Sequence, residues 1–169
     1  MTDIETIRFL WRYMIRGDEQ ILAAAMTVPA ENFAMEQGIS FGSLAKLLNH
    51  ARNAQKTWVT RLKGTDTAYM DEPMPAREEF AATWAAVHQE LLAFAESQTA
   101  ESIQKTIRSR NRAGKQFELP AWAVMLHVAD HATYHRGQVN SMIKRAGGTP
   151  VQIMVYTYCA AEGIGREIG

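Results

Sequence analysis

The chain has 169 residues, 47% of them hydrophobic, and its 18 Lys plus Arg balance 18 Asp plus Glu. That length and apolar share suit a single domain over residues 1–169 with a sizeable core. Zero net charge excludes a general binder of nucleic-acid backbone, which needs a basic surplus or patch, and the lone Cys159 excludes an internal disulfide and fits a reducing compartment.

From Ile4 to Met26, Ile7, Leu10, Trp11, Met14, Ile21, Leu22 and Ala25 recur at threes and fours, which predicts a first long helix. Gly17 interrupts it at a cost of about 1 kcal/mol relative to Ala, and Val28-Pro29 ends it. A loop is expected to Ile39. Ser40 is the expected N-cap of a second helix over Phe41 to Lys63. Its stripe is Leu44, Leu47, Leu48, Ala51, Ala54 and Trp58, and His50 points to the same side. Gly64 closes it, and Thr65 to Pro75 is a polar connection.

Pro75 suits the first turn of a third helix, and Glu78 and Glu79 favour its positive end. Phe80, Trp84, Val87, Leu91 and Phe94 form its seam. His88 lies about 100° off that seam, which predicts a surface or boundary position. Ser102 to Leu119 breaks the helical period. Alternation around Asn111-Arg-Ala-Gly114 suggests a small hairpin, and Arg108, Arg110, Arg112 and Lys115 read as its solvated basic turn. Pro120 opens a fourth helix, Ala121 to Arg145, ended by Gly147-Gly148. Thr149-Pro150 should start a short last helix, Val151 to Glu162, with Cys159 as a small buried hydrophobe. No charged-then-apolar leader opens the sequence, and no apolar run nears the about 18 residues of a membrane span. The expectation is a cytoplasmic protein without membrane segments.

The chemistry concentrates in the fourth helix, where His127, His131 and His135 fall four apart. With His127 at zero, His131 and His135 lie at about 40° and 80°, Gln138 at about 20° and Met142 at about 60°. Val124, Val128 and Val139 share the sector, so the histidines sit on an apolar stripe facing other helices. Inward histidines on facing helices are a common way to build a metal site in a bundle. Two imidazoles one turn apart can share an ion, as in the two-histidine zinc helix of metalloproteases. Val128 and Ala132 stand where the Glu of such a peptidase would be, so the spacing points to a metal and not to proteolysis. The wheel alone leaves both pairs open, 127/131 and 131/135. Arg136 lies at about 180°, off the histidine sector, which predicts a salt bridge or subunit contact.

Ser40-Phe-Gly-Ser-Leu-Ala-Lys-Leu-Leu-Asn-His50, with Trp58 and Arg61-Leu-Lys-Gly64, resembles the second helix of the DinB family. His127-Val-Ala-Asp-His131-Ala-Thr-Tyr-His135-Arg-Gly-Gln138 is similar to that family's motif, a helix ending His-Arg-Gly-Gln. The resemblance spans nearly the whole chain. It implies an all-α, up-down-down-up four-helix bundle, with a divalent ion, zinc or nickel, held by His50, His131 and His135. His127 then becomes a neighbour and not a ligand. The resemblance further implies a homodimer, and a thiol-dependent transferase or isomerase using mycothiol, bacillithiol or a glutathione-like thiol. The family name comes from damage inducibility and implies no DNA binding.

Three neutral imidazoles leave a coordination position open, the pattern of catalytic and not structural sites. The expected activity is a metal-held thiolate or hydroxide acting on a small electrophile, with Gln138 orienting that nucleophile or hydrogen-bonding an imidazole. A core Gln bonded to another helix is the alternative for Gln138. The rival functions are a non-catalytic metal-binding stress protein and a metal-dependent hydrolase.

Overall fold

The computed structural model describes residues 3–110, 114–166 and 168. It is mostly helical, with one two-stranded sheet. The elements are α1 (Ile4–Ala25), α2 (Ala30–Phe33), α3 (Leu44–Leu62), α4 (Phe80–Ser97), β1 (Thr106–Arg110), β2 (Gln116–Pro120), α5 (Ala121–Arg145) and α6 (Val155–Ala161).

Helix α1 starts where the Asp3 carboxylate accepts the free N–H groups of Glu5 and Thr6, both at 3.2 Å. Its predicted stripe is buried except for Leu10, which is half-buried: Ile7, Trp11, Met14 and Ala25 have no exposed surface. The Arg77 guanidinium donates to the carbonyls of Met26 and Val28, at 2.7 and 2.8 Å, and so satisfies the chain at the helix's end.

The expected loop before α3 contains the short α2, which buries Phe33 against Phe80. Ser40 is not the cap of α3. It adopts φ +51°, and Gly42 adopts φ +89°, so the chain is still turning there. The left-handed φ of Gly42 favours glycine, and a Cβ there would also push the Glu36 carboxylate aside. The cap is Ser43, whose Oγ accepts the Lys46 N–H at 3.3 Å. Likewise, Pro75 does not open α4. A single 3-10 turn, Arg77–Glu79, leads into it.

The hairpin forms. β1 and β2 are antiparallel, with Ile107 opposite Leu119 and an Arg108–Glu118 ion pair at 2.8 Å. Arg112 and the tip of the expected turn lie outside the described residues. The last helix is shorter than predicted, because the Asn140 amide brackets Val151. It donates to the Val151 carbonyl at 2.6 Å and accepts its N–H at 3.0 Å, and α6 then begins at Val155. No residue of α6 is fully buried, so Cys159 is half-buried and not a core residue.

Four long helices bury one apolar core, α1 packing on α4 and α5, and α3 packing on the same two. The Trp11 indole donates to the Met125 carbonyl at 2.9 Å, and Asp18 meets Arg136 seven residues further on, so α1 and α5 run in the same direction. Gln55 meets Trp84 and Lys63 meets Glu90, so α3 runs with α4. Trp58 packs on His127 and His50 on His135, so α3 opposes α5.

A polar network crosses this core. Buried Asp18 accepts from Arg136 at 3.1 Å and from Gln55 at 2.5 Å, and Gln55 accepts from the Trp84 indole at 2.7 Å. The salt bridge predicted for Arg136 is therefore internal. Gly17 makes room for it, since a Cβ there would lie 3.0 Å from the guanidinium carbon. His88 is a correction. It is only 6% exposed, packed on Trp84, with Nε2 3.6 Å from Asp18. Its position about 100° off the seam turns it toward α1 instead of solvent. Among the described residues, no helix is long and apolar enough to cross a membrane.

Candidate metal centre

Because α3 and α5 are antiparallel, the start of α3 lies against the middle of α5. This brings His50 to His131 and His135, with ring centroids 5.7 and 4.8 Å away. One ring nitrogen from each of the three histidines lies within 4.8 Å of the other two. The Nε2 atoms of His131 and His135 are 3.1 Å apart. Two nitrogens at about 2.05 Å from a tetrahedral zinc ion are ~3.3 Å apart, so this pair needs little adjustment to share one ion. His135 is buried and the other two are half-buried.

Hydrogen bonds fix which nitrogen faces the shared point. The Gln138 amide donates to the Tyr134 hydroxyl at 3.1 Å, which turns its Oε1 toward His135. That oxygen lies 2.7 Å from His135 Nδ1 and can only accept, so Nδ1 carries the proton and Nε2 presents its lone pair. The Tyr69 hydroxyl donates to the His50 carbonyl at 3.3 Å, and lies 2.8 Å from His50 Nδ1. When the phenol's proton is used on the carbonyl, its oxygen is free to accept from Nδ1–H, the tautomer in which Nε2 of His50 is the ligand atom. Such outer partners orient metal-binding imidazoles and set their tautomer. Phe41 completes the wall, stacked on His50 at 4.2 Å and edge-on to His135 at 5.7 Å.

The electrostatics disfavour the charged forms of His131 and His135. Burial, then the neighbouring His135, His127 and His50, push His131 down to about 3. Burial also lowers His135, against the opposing hydrogen bond from Gln138, and lowers His127, against the charge of Asp130. A neutral imidazole is the form that binds a metal. The residues present therefore fit a divalent ion: three imidazole nitrogens that converge, a His135 ring held by Gln138, burial that disfavours protonation of His131 and His135, and no carboxylate among the three ligands.

His127 stands apart from the set. Its ring packs edge-on to Trp58 at 5.0 Å, and its centroid is 5.6 Å from that of His131. The cluster opens into a cleft of about 840 Å³, whose lining includes His50, Trp58, Arg61, Tyr69, His127 and His131. Sequence reasoning named neither Tyr69 nor Arg61 as part of a site. An aromatic residue within the polar 65–75 connection was the only signal for Tyr69.

A family model described as the DinB family matches residues 2–167. The curated protein DinB of Bacillus subtilis (strain 168) is 22% identical over 147 residues, covering 82% of this chain and 84% of that protein. A crystal structure of a DinB-like protein from Bacillus cereus ATCC 10987 superposes with a TM-score of 0.65 at 17% identity, over 85% of this chain and 93% of that one. A DinB-like protein from Bacillus subtilis gives 0.64 at 12% identity, over 85% and 94%. These structures share the fold.

Proposed function

The chain belongs to the DinB family, and on that premise we propose that it is a metal-dependent enzyme in which His50, His131 and His135 hold a zinc or nickel ion. The observation that carries the reading is the convergence of three imidazole nitrogens, with Gln138 and Tyr69 at Nδ1 of His135 and His50. The reading takes the four long helices as an up-down-down-up bundle, which the helix directions described above support. It also takes the protein as a homodimer acting on a small molecule, in line with its zero net charge and its family.

A bound divalent ion would lower the pKa of a thiol or water at its open position and so supply a nucleophile at neutral pH. The chain's residues do the rest. Gln138 and Tyr69 hold protons on the Nδ1 atoms, so that Nε2 stays available. Phe41 and Trp58 exclude water from two sides and strengthen attraction to an anion in the site. The cleft admits the electrophile. A site with no protein anion favours a charged, soft exogenous ligand, so the preferred nucleophile is the thiolate of a small thiol. The reaction class is transfer of that thiol to a small electrophile: the sulfur lone pair forms the new bond to carbon, and the leaving group departs with its electron pair.

The test is optical. In cobalt-substituted protein, a small thiol should produce sulfur-to-metal charge-transfer absorption that weakens as pH falls. An unchanged spectrum at saturating thiol near neutral pH would remove the thiol reading and favour hydrolysis or a bracing ion.

A further inference from the structure

The cleft that starts at the histidines does not end there. It follows α3 from His50 past Ala54, Thr57 and Trp58 to Arg61. Eleven helical residues span about 16 Å, or three turns. Arg61 is 7% exposed and held in one pose. Its Nε and Nη2 both donate to the Thr67 carbonyl, at 3.2 and 3.1 Å, and its guanidinium lies 4.8 Å over the Trp58 ring. Those bonds use one edge of the guanidinium and leave the Nη1 edge to the cleft that Arg61 lines.

A cation fixed in a cleft, partly desolvated and already positioned, binds an anion without first losing side-chain freedom. We propose that Arg61 is a carboxylate-binding subsite, and that the molecule whose thiol or electrophilic end sits at the histidine cluster carries a carboxylate at its other end. This inference rests on the proposed metal site for the position of the reactive end only. The other charged residues lining the cleft favour a carboxylate over a phosphate. Asp66, Asp71 and Arg110 are exposed, and Asp66, whose charge acts on Arg61, repels a dianion more than a monoanion. Arg61 is also the one basic residue of the last turn of α3, so a purely structural role is the competing explanation.

The experiment compares ω-mercaptoalkanoic acids of increasing chain length with their primary amides, on full-length protein both metal-loaded and metal-stripped. Binding is read from the indole N–H resonance of Trp58, identified by its loss in Trp58→Phe. One chain length of acid should bind about tenfold tighter than its amide, the worth of one charge-assisted hydrogen bond. That preference should survive metal removal and the Arg110→Gln substitution, and vanish in Arg61→Gln. Equal binding of acid and amide to the native protein overturns the subsite whether or not any variant folds. A preference retained in Arg61→Gln overturns it too. If the metal reading alone is wrong, the acid preference persists while the cobalt protein shows no charge transfer with any thiol.

Discussion

The hydroxyl of Tyr69 lies 2.8 Å from Nδ1 of His50 and 3.3 Å from the carbonyl of the same residue, so one phenol touches both the ring and the backbone of His50 and holds the rotation of that imidazole. Outer partners of this kind are worth 10- to 100-fold in metal affinity. Tyr69→Phe should therefore weaken metal binding by roughly that factor with little change in thermal stability. Competition with a chelator of known affinity measures it, and an unchanged affinity would show that the phenol does not set the ligand.

His131→Ala and His135→Ala should each abolish tight metal binding, whereas His127→Ala should leave it nearly intact. His127 packs on Trp58, outside the group of three whose nitrogens approach one another. Metal content after gel filtration decides this. Equal loss in all three variants would mean that the ligand pair on α5 is assigned wrongly.

Acid should destabilise the metal-stripped protein. In the unfolded chain His131 titrates near 6.5, but in the fold it titrates at about 3. Between those values the unfolded state holds the extra proton, so stability rises with pH across that window and flattens above it. His135 and His127 are lowered in the same direction. Urea midpoints at about pH 7.5 and about pH 5, above the main carboxylate range, should show the drop. Identical midpoints would contradict the buried, neutral cluster.

Asp18→Ala should cost about 3–5 kcal/mol of stability, because it leaves the Arg136 guanidinium buried without its counter-charge. It also removes the acceptor for Gln55. Chemical denaturation reads the loss. A change below about 1 kcal/mol would mean that the ion pair is far better solvated than its burial indicates.

The long helices were legible because their apolar spacing matches the period of a helix facing a core. The three histidines of α5 were visible as one face for the same reason. Which two of them belong together was not, since neighbours at 40° intervals share a sector. That choice came from the family motif and agrees with the convergence on His50. His88 was misplaced because a single seam was drawn on α4, while α4 actually packs on both α1 and α3. The cap of α3 slipped three residues because Ser40 and Ser43 carry the same chemistry, and only backbone conformation separates them. Tyr69 sits in a segment with no period, and Arg61 resembles any helix-end cation, so their roles emerge only from distance.

Metal stoichiometry tests the central claim most directly. Tag-free protein, stripped and titrated with cobalt, should take up one equivalent per chain with visible bands of a low-coordinate site, and His50→Ala, with the fold intact, should lose them. Saturable binding that survives in His50→Ala, or none in the native protein, would contradict a site shared by α3 and α5.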